Sequence, residues 1–244
     1  MKISIITVCY NTNRSIEKTI KSVIEQTYKN IEYIIIDGGS TDGTLDIINR
    51  YKGEIDVLIS EKDFGIYDAF NKGILNSTGD IIAFLNSGDY YLNDYCSSVI
   101  NQFQSSSFFV CSNVLYFNSK NYTEVVKPLY PKIKLGKPPF LHPALMVRRV
   151  IFDEIGYFNL NYKTFSDFDW MLRFIDRNFS GQYIDFTKVC FDLGGASSRR
   201  LIKEYIEVLR ENKYNQYKIL YCTLRYVFYH YKFLIKLILR KNLT

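Results

Sequence analysis

The sequence predicts an α/β fold: a Rossmann-like, mostly parallel central sheet with helices on both faces, followed by a helical extension. Three observations predict it. Short β-branched runs alternate with helix-period segments through the first ninety residues, the pattern of successive βαβ units. The strand runs are apolar at nearly every position, as they must be in a sheet covered from both sides. Each run also stops abruptly in a polar cluster, as strands do where a parallel sheet opens onto a ligand-binding edge.

The elements follow in order. Residues 3–9 (Ile-Ser-Ile-Ile-Thr-Val-Cys) form a buried strand that Tyr10-Asn11-Thr12-Asn13 breaks. Between Ser15 and Tyr28, Ile16, Ile20, Val23 and Ile24 recur at helical spacing. Residues 31–36 form a second strand, ending at Asp37-Gly38-Gly39-Ser40-Thr41-Asp42-Gly43-Thr44, and a helix over 44–51 follows. Residues 55–60 form a third strand and residues 66–76 a third helix. Ile81 to Leu85 is long enough for one buried strand and too short for a helix, and it halts at Asn86-Ser87-Gly88-Asp89. Right-handed crossovers bring all four strand ends to one edge. The clusters at 9–11, 37–40, 60–63 and 86–89 then meet there.

The second half is less regular. Residues 108–117 and 123–127 suit a hairpin pair, and Pro128 to Pro139 a mobile Pro/Lys loop. Residues 140–147 lead through His142-Pro143 into a strand. Short helices are expected at 149–155 and 165–178, the latter with Ser166 as N-cap. A last strand at 183–192 precedes the flexible loop Gly194-Gly195-Ala196-Ser197-Ser198.

Composition narrows the class. A chain of 244 residues, 47% apolar, can form one large core with an appendage. Its 21 Tyr and 18 Phe suit sugar, base or interface surfaces. Five cysteines, an odd number with no metal or redox spacing, suit reduced thiols in a cytosolic protein. No signal-peptide pattern is present at Met1-Lys2-Ile3-Ser4. The net charge of +6 is uneven: from Arg200 onward there are ten Lys and Arg against three Glu. The remainder is close to neutral. That asymmetry points to an appended surface with an anionic partner.

The Gly-rich stretch 37–43 has neither the dinucleotide fingerprint Gly-x-Gly-x-x-Gly nor a Gly-Lys-Ser/Thr P-loop. Hydride transfer and ATP hydrolysis both lose support. Asp37 at a strand end suits hydrogen bonds from a base or ribose, and its glycines allow close approach of a ligand to the backbone. A tight strand-helix turn capped by Asp37 is the plainer reading.

Five stretches carry a resemblance. Ser-Ile-Ile-Thr-Val-Cys-Tyr-Asn (4–11), Ile-Asp-Gly-Gly-Ser-Thr-Asp-Gly-Thr (36–44), Ala-Phe-Asn-Lys-Gly (69–73), Phe-Leu-Asn-Ser-Gly-Asp (84–89) and Ser-Asp-Phe-Asp-Trp-Met-Leu-Arg (166–173) stand in order. Together they resemble the family 2 glycosyltransferases, in particular the branch that builds bacterial surface polysaccharides of the colanic-acid type. The resemblance spans roughly residues 3 to 195. It implies a GT-A fold, a nucleotide-diphosphate sugar donor such as a UDP- or GDP-sugar, and inversion at the anomeric carbon.

Carried over residue by residue, it puts Asp37 in the nucleotide pocket, with Cys9, Tyr10 and Asn11 lining it and Asn71 beside the donor. Asn86, Ser87 and Asp89 occupy the place of the metal-binding Asp-x-Asp. Asn86 and Gly88 replace its two carboxylates, leaving Asp89 to hold Mg²⁺ or Mn²⁺ together with the diphosphate. Asp167 matches the catalytic base, with Asp169 the fallback, the other member of the pair capping the helix or pairing with Arg173. His142 comes near the donor–acceptor junction, though a lone His is more often structural. Lys62, Asp63 and Asp68 are candidates for donor-sugar contact or for solvated surface. Arg148, Arg149, Arg199 and Arg200 suit phosphate or plain surface charge. Trp170 suits a sugar platform or, with Phe174 at helix spacing, the core.

Residues 219–240 are rich in Tyr, Phe, Leu and Ile but contain Arg225, His230, Lys232, Lys236 and Arg240. Spanning a bilayer would cost roughly 2.5–3.5 kcal/mol for each charge at the helix centre. A basic, aromatic helix lying on an anionic membrane fits better, and a helix packed on the catalytic domain or on a dimer partner is the alternative. No nucleic-acid-binding module is present. The expected organisation is a catalytic domain over 1–199, divided into a nucleotide-sugar half (1–90) and an acceptor half (91–199), with a basic tail over 200–244. The expected protein is a peripheral enzyme of the inner membrane face acting on a lipid-linked glycan. A catalytically silent sugar-nucleotide-binding subunit is the alternative that the altered Asp-x-Asp motivates.

Overall fold

The computed structural model describes residues 1–118, 121–129, 139–194 and 202–241, and the backbone alone at 118, 121–122 and 229–241. The first half alternates as expected: β1 (Ile3–Cys9), α1 (Ile16–Ile24), β2 (Ile31–Asp37), α2 (Thr44–Arg50), β3 (Val57–Ser60), α3 (Ile66–Leu75) and β4 (Ile81–Phe84). These four strands run parallel in the order β3-β2-β1-β4.

The second half turns the sheet antiparallel. β8 (Leu145–Arg148) pairs antiparallel with β4, and β6 (Phe109–Asn118) antiparallel with β8. β9 (Gly181–Asp192) lies parallel to β6, and the two-residue β5 (Tyr90–Tyr91) closes the path beyond it. β7 (Asn121–Val126) forms the expected hairpin with β6. The sheet is parallel where the sequence alternates and mixed where it does not.

Strand alternation splits the core into two layers. On one face Ile3, Ile5, Ile35, Ile81 and Ala83 pack against Ile16, Ile20 and Val23 of α1 and Ile48 of α2. On the other, Ile6, Val8, Ile34, Ile36, Ile82 and Phe84 pack against Phe70 and Ile74 of α3. α5 (Val150–Ile155) and α6 (Ser166–Asp176) complete that layer with Phe152, Trp170 and Phe174. Each fully buried isoleucine contributes about 1.5–3 kcal/mol. α3 lies so close to β1 that a Cβ at Gly73 would fall 2.3 Å from Ile6 Cγ2, so the helix could not sit there with any larger residue.

A third cluster joins α6 to α7 (Ile202–Glu211) and α8 (Gln216–Lys241). Tyr205, Val208 and Leu209 of α7 and Cys222 of α8 bury against Phe165, Phe168 and Leu172. Phe168 stacks on Tyr205 at 5.4 Å and 19°, and Tyr205 on Tyr226 at 4.7 Å and 22°. The tail is therefore helical, and one face of it is packed on the domain. No helix among the described residues is long and apolar enough to cross a membrane.

Some local expectations differ. β5 and α4 (Tyr95–Ile100) are additional, both being too short to leave a periodic signal, and the helical extension is divided into α7 and α8. α1 stops at Ile24, and Gln26 instead donates to the backbone of Leu92 and accepts from Cys96. α6 begins at Ser166 itself, with Phe165 in the N-cap position, and the Ser166 hydroxyl is buried without a partner among the described residues. Most of the Pro/Lys loop (130–138) and residues 195–200, with Arg199 and Arg200, lie outside the described residues.

Candidate active site

The parallel half aligns its strand ends: Cys9 faces Asp37 across β1 and β2, and Asp37 faces Ser60 across β2 and β3. Asp37 is fully buried. Its Oδ1 accepts from the Ser40 hydroxyl at 2.5 Å, and its Oδ2 from the Ser60 hydroxyl at 2.7 Å and the Ser40 N–H at 3.1 Å. The Cys9 thiol approaches Oδ1 at 3.6 Å. Burial, and then the Asp37 charge, push that thiol well above its ordinary range, so it lines the pocket without being a nucleophile.

Asn11 stitches the two loops together. Its backbone sits at φ +51°, its N–H donates to Ser40 Oγ at 2.8 Å, and its Oδ1 accepts from Thr41 N–H at 2.9 Å. Tyr10 beside it stays 62% exposed, a ring open to a planar ligand. Opposite, a Cβ on Gly38 would lie 2.5 Å from Asp63 Oδ2, so glycine is what lets that carboxylate rest on the backbone. Asp63 Oδ1 accepts from Gly65 N–H, and Asp68 Oδ2 accepts from Phe64 N–H and pairs with Lys72 at 3.3 Å. Lys62 is exposed.

At the end of β4 the turn is locked by Thr19, whose hydroxyl donates to Asp89 O and accepts from Gly88 N–H. Ser87 Oγ meets Ser15 Oγ at 3.3 Å. Asn86 Nδ2 donates to His142 Nε2 at 3.0 Å. Because β8 runs against β4, the single helical turn His142–Ala144 that feeds β8 starts where β4 ends. The His142 ring stands between Phe70 and Phe191, at 6.2 and 6.1 Å.

Asp89 is turned inward and only 3% exposed. Its Oδ1 accepts from Asp192 N–H at 2.9 Å, and its Oδ2 is buried with no partner among the described residues. Burial raises this carboxyl well above the carboxylate range; the Asp192 N–H opposes and the Asp192 charge reinforces the shift. A dication shared with a diphosphate needs an ionised, reachable oxygen. Asp89 has one oxygen committed and the other sealed, and no group of three His, Cys, Asp or Glu among the described residues could hold a metal. As arranged, these residues do not fit a dication.

Asp167 is the second residue of α6. Its Oδ1 accepts from Phe168 N–H at 2.8 Å and from the Tyr67 hydroxyl at 2.9 Å, and Oδ2 has no partner among the described residues. Tyr67 reaches it from the first turn of α3, next to Asp68, so Asp167 joins the same edge as Asp37. Tyr67 is 7% exposed, with its ring against Phe158 and Phe70. Asp169 faces away, accepting from Arg173 Nε and from Asn212 Nδ2, both at 3.0 Å.

Other candidates fall elsewhere. Asn71 exchanges both ends of its amide with the Phe158 backbone, at 2.9 and 3.0 Å, which ties α3 to the segment after α5. Trp170 is core: it stacks on Phe152 and Phe174, and its Nε1 donates to Gly156 O. Arg148 and Arg149 lie at the opposite edge and donate to the carbonyls of Ser107 and Gln104, and of Ile74 and Ser77. Tyr67, Asp192, Ser40 and Ser60 were not singled out from the sequence. Ser40 and Ser60 carried a signal only as members of the polar clusters 37–40 and 60–63; the other two read as core or strand.

The profile of glycosyl transferase family 2 matches residues 4–200. The chain belongs to this family. As a glycosyltransferase it is 30% identical over 215 residues to a PGL/p-HBAD biosynthesis glycosyltransferase of Mycobacterium tuberculosis, covering 84% of this chain and 83% of the relative. It is 32% identical over 179 residues, 70% of this chain and 68% of the relative, to the Escherichia coli UDP-Glc:alpha-D-GlcNAc-diphosphoundecaprenol beta-1,3-glucosyltransferase WfaP. Among solved structures, S. aureus TarS 1–349 in complex with UDP-GlcNAc aligns with a TM-score of 0.73 at 18% identity, over 96% of this chain and 73% of that one. The mannosyltransferase PcManGT from Pyrobaculum calidifontis, in complex with GDP-Man and Mn²⁺, aligns with a TM-score of 0.65 at 17% identity, over 91% and 68%. The glycosyltransferase thus has the GT-A fold, with its polar strand ends at the edge that carries Asp37 and Asp167.

Proposed function

We propose that this glycosyltransferase inverts the anomeric centre of a UDP- or GDP-sugar as it moves the sugar to a lipid-linked glycan, in the assembly of a bacterial surface polysaccharide. One observation carries the reading. The Asp167 carboxylate is held through Oδ1, by Tyr67 and Phe168 N–H, at the edge that holds Asp37, and Oδ2 has no partner among the described residues. Oδ2 is left to take a proton. In the step, an acceptor hydroxyl gives its proton to Asp167 as its oxygen bonds the anomeric carbon. The bond to the leaving phosphate oxygen breaks, and the nucleoside diphosphate departs with the electron pair. A base on one face with the leaving group opposite requires an in-line approach, so positioning supplies much of the acceleration.

The nucleotide is assigned to Asp37 with Cys9, Tyr10 and Asn11, and the donor sugar and diphosphate to Asp68, Asn86, Ser87 and His142. Asn71 acts from behind, by fixing α3. The Mg²⁺ or Mn²⁺ implied by the family has no step here, because Asp89 is not arranged to hold it. WfaP, by its name, uses UDP-Glc and a diphosphoundecaprenol-linked acceptor, which supports a UDP-sugar and a lipid-linked acceptor. Such a donor and acceptor meet at the inner face of the membrane, where this reading puts the enzyme.

The test is Asp167→Asn. Transfer, measured as release of UDP or GDP in the presence of acceptor, should fall by about 10²–10⁴-fold, the usual worth of a general base. The rise in melting temperature that the nucleotide gives should persist. Full activity in the variant would remove Asp167 as base. A wild-type protein that binds nucleotide but never releases it from a donor would instead mark a silent subunit. Asp89→Asn should leave the nucleotide shift the same with and without Mn²⁺; an Mn²⁺-enhanced shift that this variant abolishes would restore a metal to Asp89.

A further inference from the structure

α8 presents two different faces. Ile219, Cys222 and Tyr226 turn towards α6 and α7. On the opposite side, Tyr217, Leu220, Tyr221, Leu224, Val227 and Phe228 are exposed, by 44 to 86%. At 100° per residue these six fall within one arc of about 120°. In the sequence, Tyr231, Leu234, Ile235, Ile238 and Leu239 recur in the same phase, so no charged residue interrupts the stripe from 217 to 239. Lys218, Arg225, Lys232 and Lys236 all fall in a narrow arc along one flank of it. Arg225 is seated there by a 2.8 Å bond from its Nη1 to the Tyr221 hydroxyl.

We infer that this stripe docks on an anionic phospholipid bilayer, with α8 lying in the interface plane. A solvent-facing apolar arc over residues 217–228 of a monomer needs a partner. Charge decides which. α8 carries six Lys and Arg and no Asp or Glu. A second copy of the helix would bring six more cations and no carboxylate, whereas anionic headgroups answer the whole row. The composition is that of an interfacial helix: aromatic and aliphatic residues to sink to the acyl boundary, and basic residues at its rim to meet the phosphates. The face packed on α6 and α7 keeps the helix from spanning, so it lies on the surface and carries the domain with it. This surface gives the acceptor proposed above a place to be met. The docking itself needs neither donor nor acceptor, so its failure leaves the transfer reaction untouched.

Vesicle flotation of the full chain tests it. The protein should float with vesicles of phosphatidylcholine and phosphatidylglycerol, float weakly with phosphatidylcholine alone, and be released by added salt. Lys218→Gln with Arg225→Gln should weaken binding to anionic vesicles by about 5-fold for each charge removed, about 25-fold for the pair. Tyr217→Gln, Leu220→Gln and Leu224→Gln together should abolish flotation with the melting temperature unchanged, since all three are more than half exposed and Gln is a good helix former. Failure of the wild type to float with either vesicle overturns the inference. So does a triple variant that floats as well as wild type, or a wild-type dimer in sedimentation that the triple variant converts to monomer.

Discussion

Tyr67 and Asp167 are a hundred residues apart and meet through one hydrogen bond. A neutral donor to a carboxylate contributes about 1.5–3 kcal/mol, and here it also fixes how the carboxylate is turned. Tyr67→Phe keeps the ring that packs on Phe158. We expect kcat to fall about tenfold with KM for the donor little changed. A variant that only loosened the fold would lower the melting temperature, so a reduced kcat at an unchanged melting temperature assigns the loss to the hydroxyl. Asp167 was singled out through the family resemblance of residues 166–173, and the structure sets it beside the Tyr67 hydroxyl. Tyr67 was not: a tyrosine among apolar neighbours at helical spacing reads as core, and its ring is core. Only the hydroxyl has a second task, and nothing local in the sequence points a hydroxyl across the fold.

Strands β1 and β2 begin at a clamp. Glu32, buried at the start of β2, accepts from Lys2 Nζ, Ser4 Oγ, and both the N–H and the hydroxyl of Thr78. Burial raises its pKa, but the bonds from Ser4, Thr78 and Lys2 outweigh that and bring it from 4.5 down to about 2. The folded carboxyl thus holds its proton less tightly than the unfolded one. The resulting stability, roughly 3 kcal/mol by linkage, is fully present above about 4.5 and is lost as the pH falls towards about 2. Glu32→Gln should lower the melting temperature at pH 7 and flatten the acid side of the stability curve; an unchanged acid side would assign acid sensitivity to other groups. The strands that Glu32 joins were legible because β-branched residues fill both of their faces. β5 and α4 were not, being two and six residues long and formed because neighbouring elements already stand in place.

Across the whole molecule, the charge asymmetry of the chain announced an appended surface, but not that one face of it packs into a core cluster. Tyr205, Val208, Leu209 and Cys222 complete the cover over Phe165, Phe168 and Leu172. A division into a catalytic domain at 1–199 and a tail at 200–244 would run through this cluster. Deleting residues 202–244 should therefore cause aggregation or a large drop in melting temperature, whereas ending the chain after Phe228 keeps this cluster whole and should weaken vesicle binding. Equal stability of both truncations would make α7 and α8 a loose attachment. Periodicity showed that the tail is helical. Which face packs and which lies open depended on where α6 stands, which one segment of sequence does not encode.

The stack of Phe168, Tyr205 and Tyr226 ends one residue from Asp167 and begins on α8. Three rings in register do not stretch. On the docking inferred above, a helix held to a lipid surface at one end of such a column would make the domain a spacer of set height, with the oxygen proposed to take the proton at a constant level above the headgroups. An acceptor hydroxyl must then stand at that level to react, so the number of sugars between it and the lipid becomes a measured length. Acceptors one sugar shorter or longer should be poor substrates on vesicles, yet close to equal when the same glycans are offered free in solution.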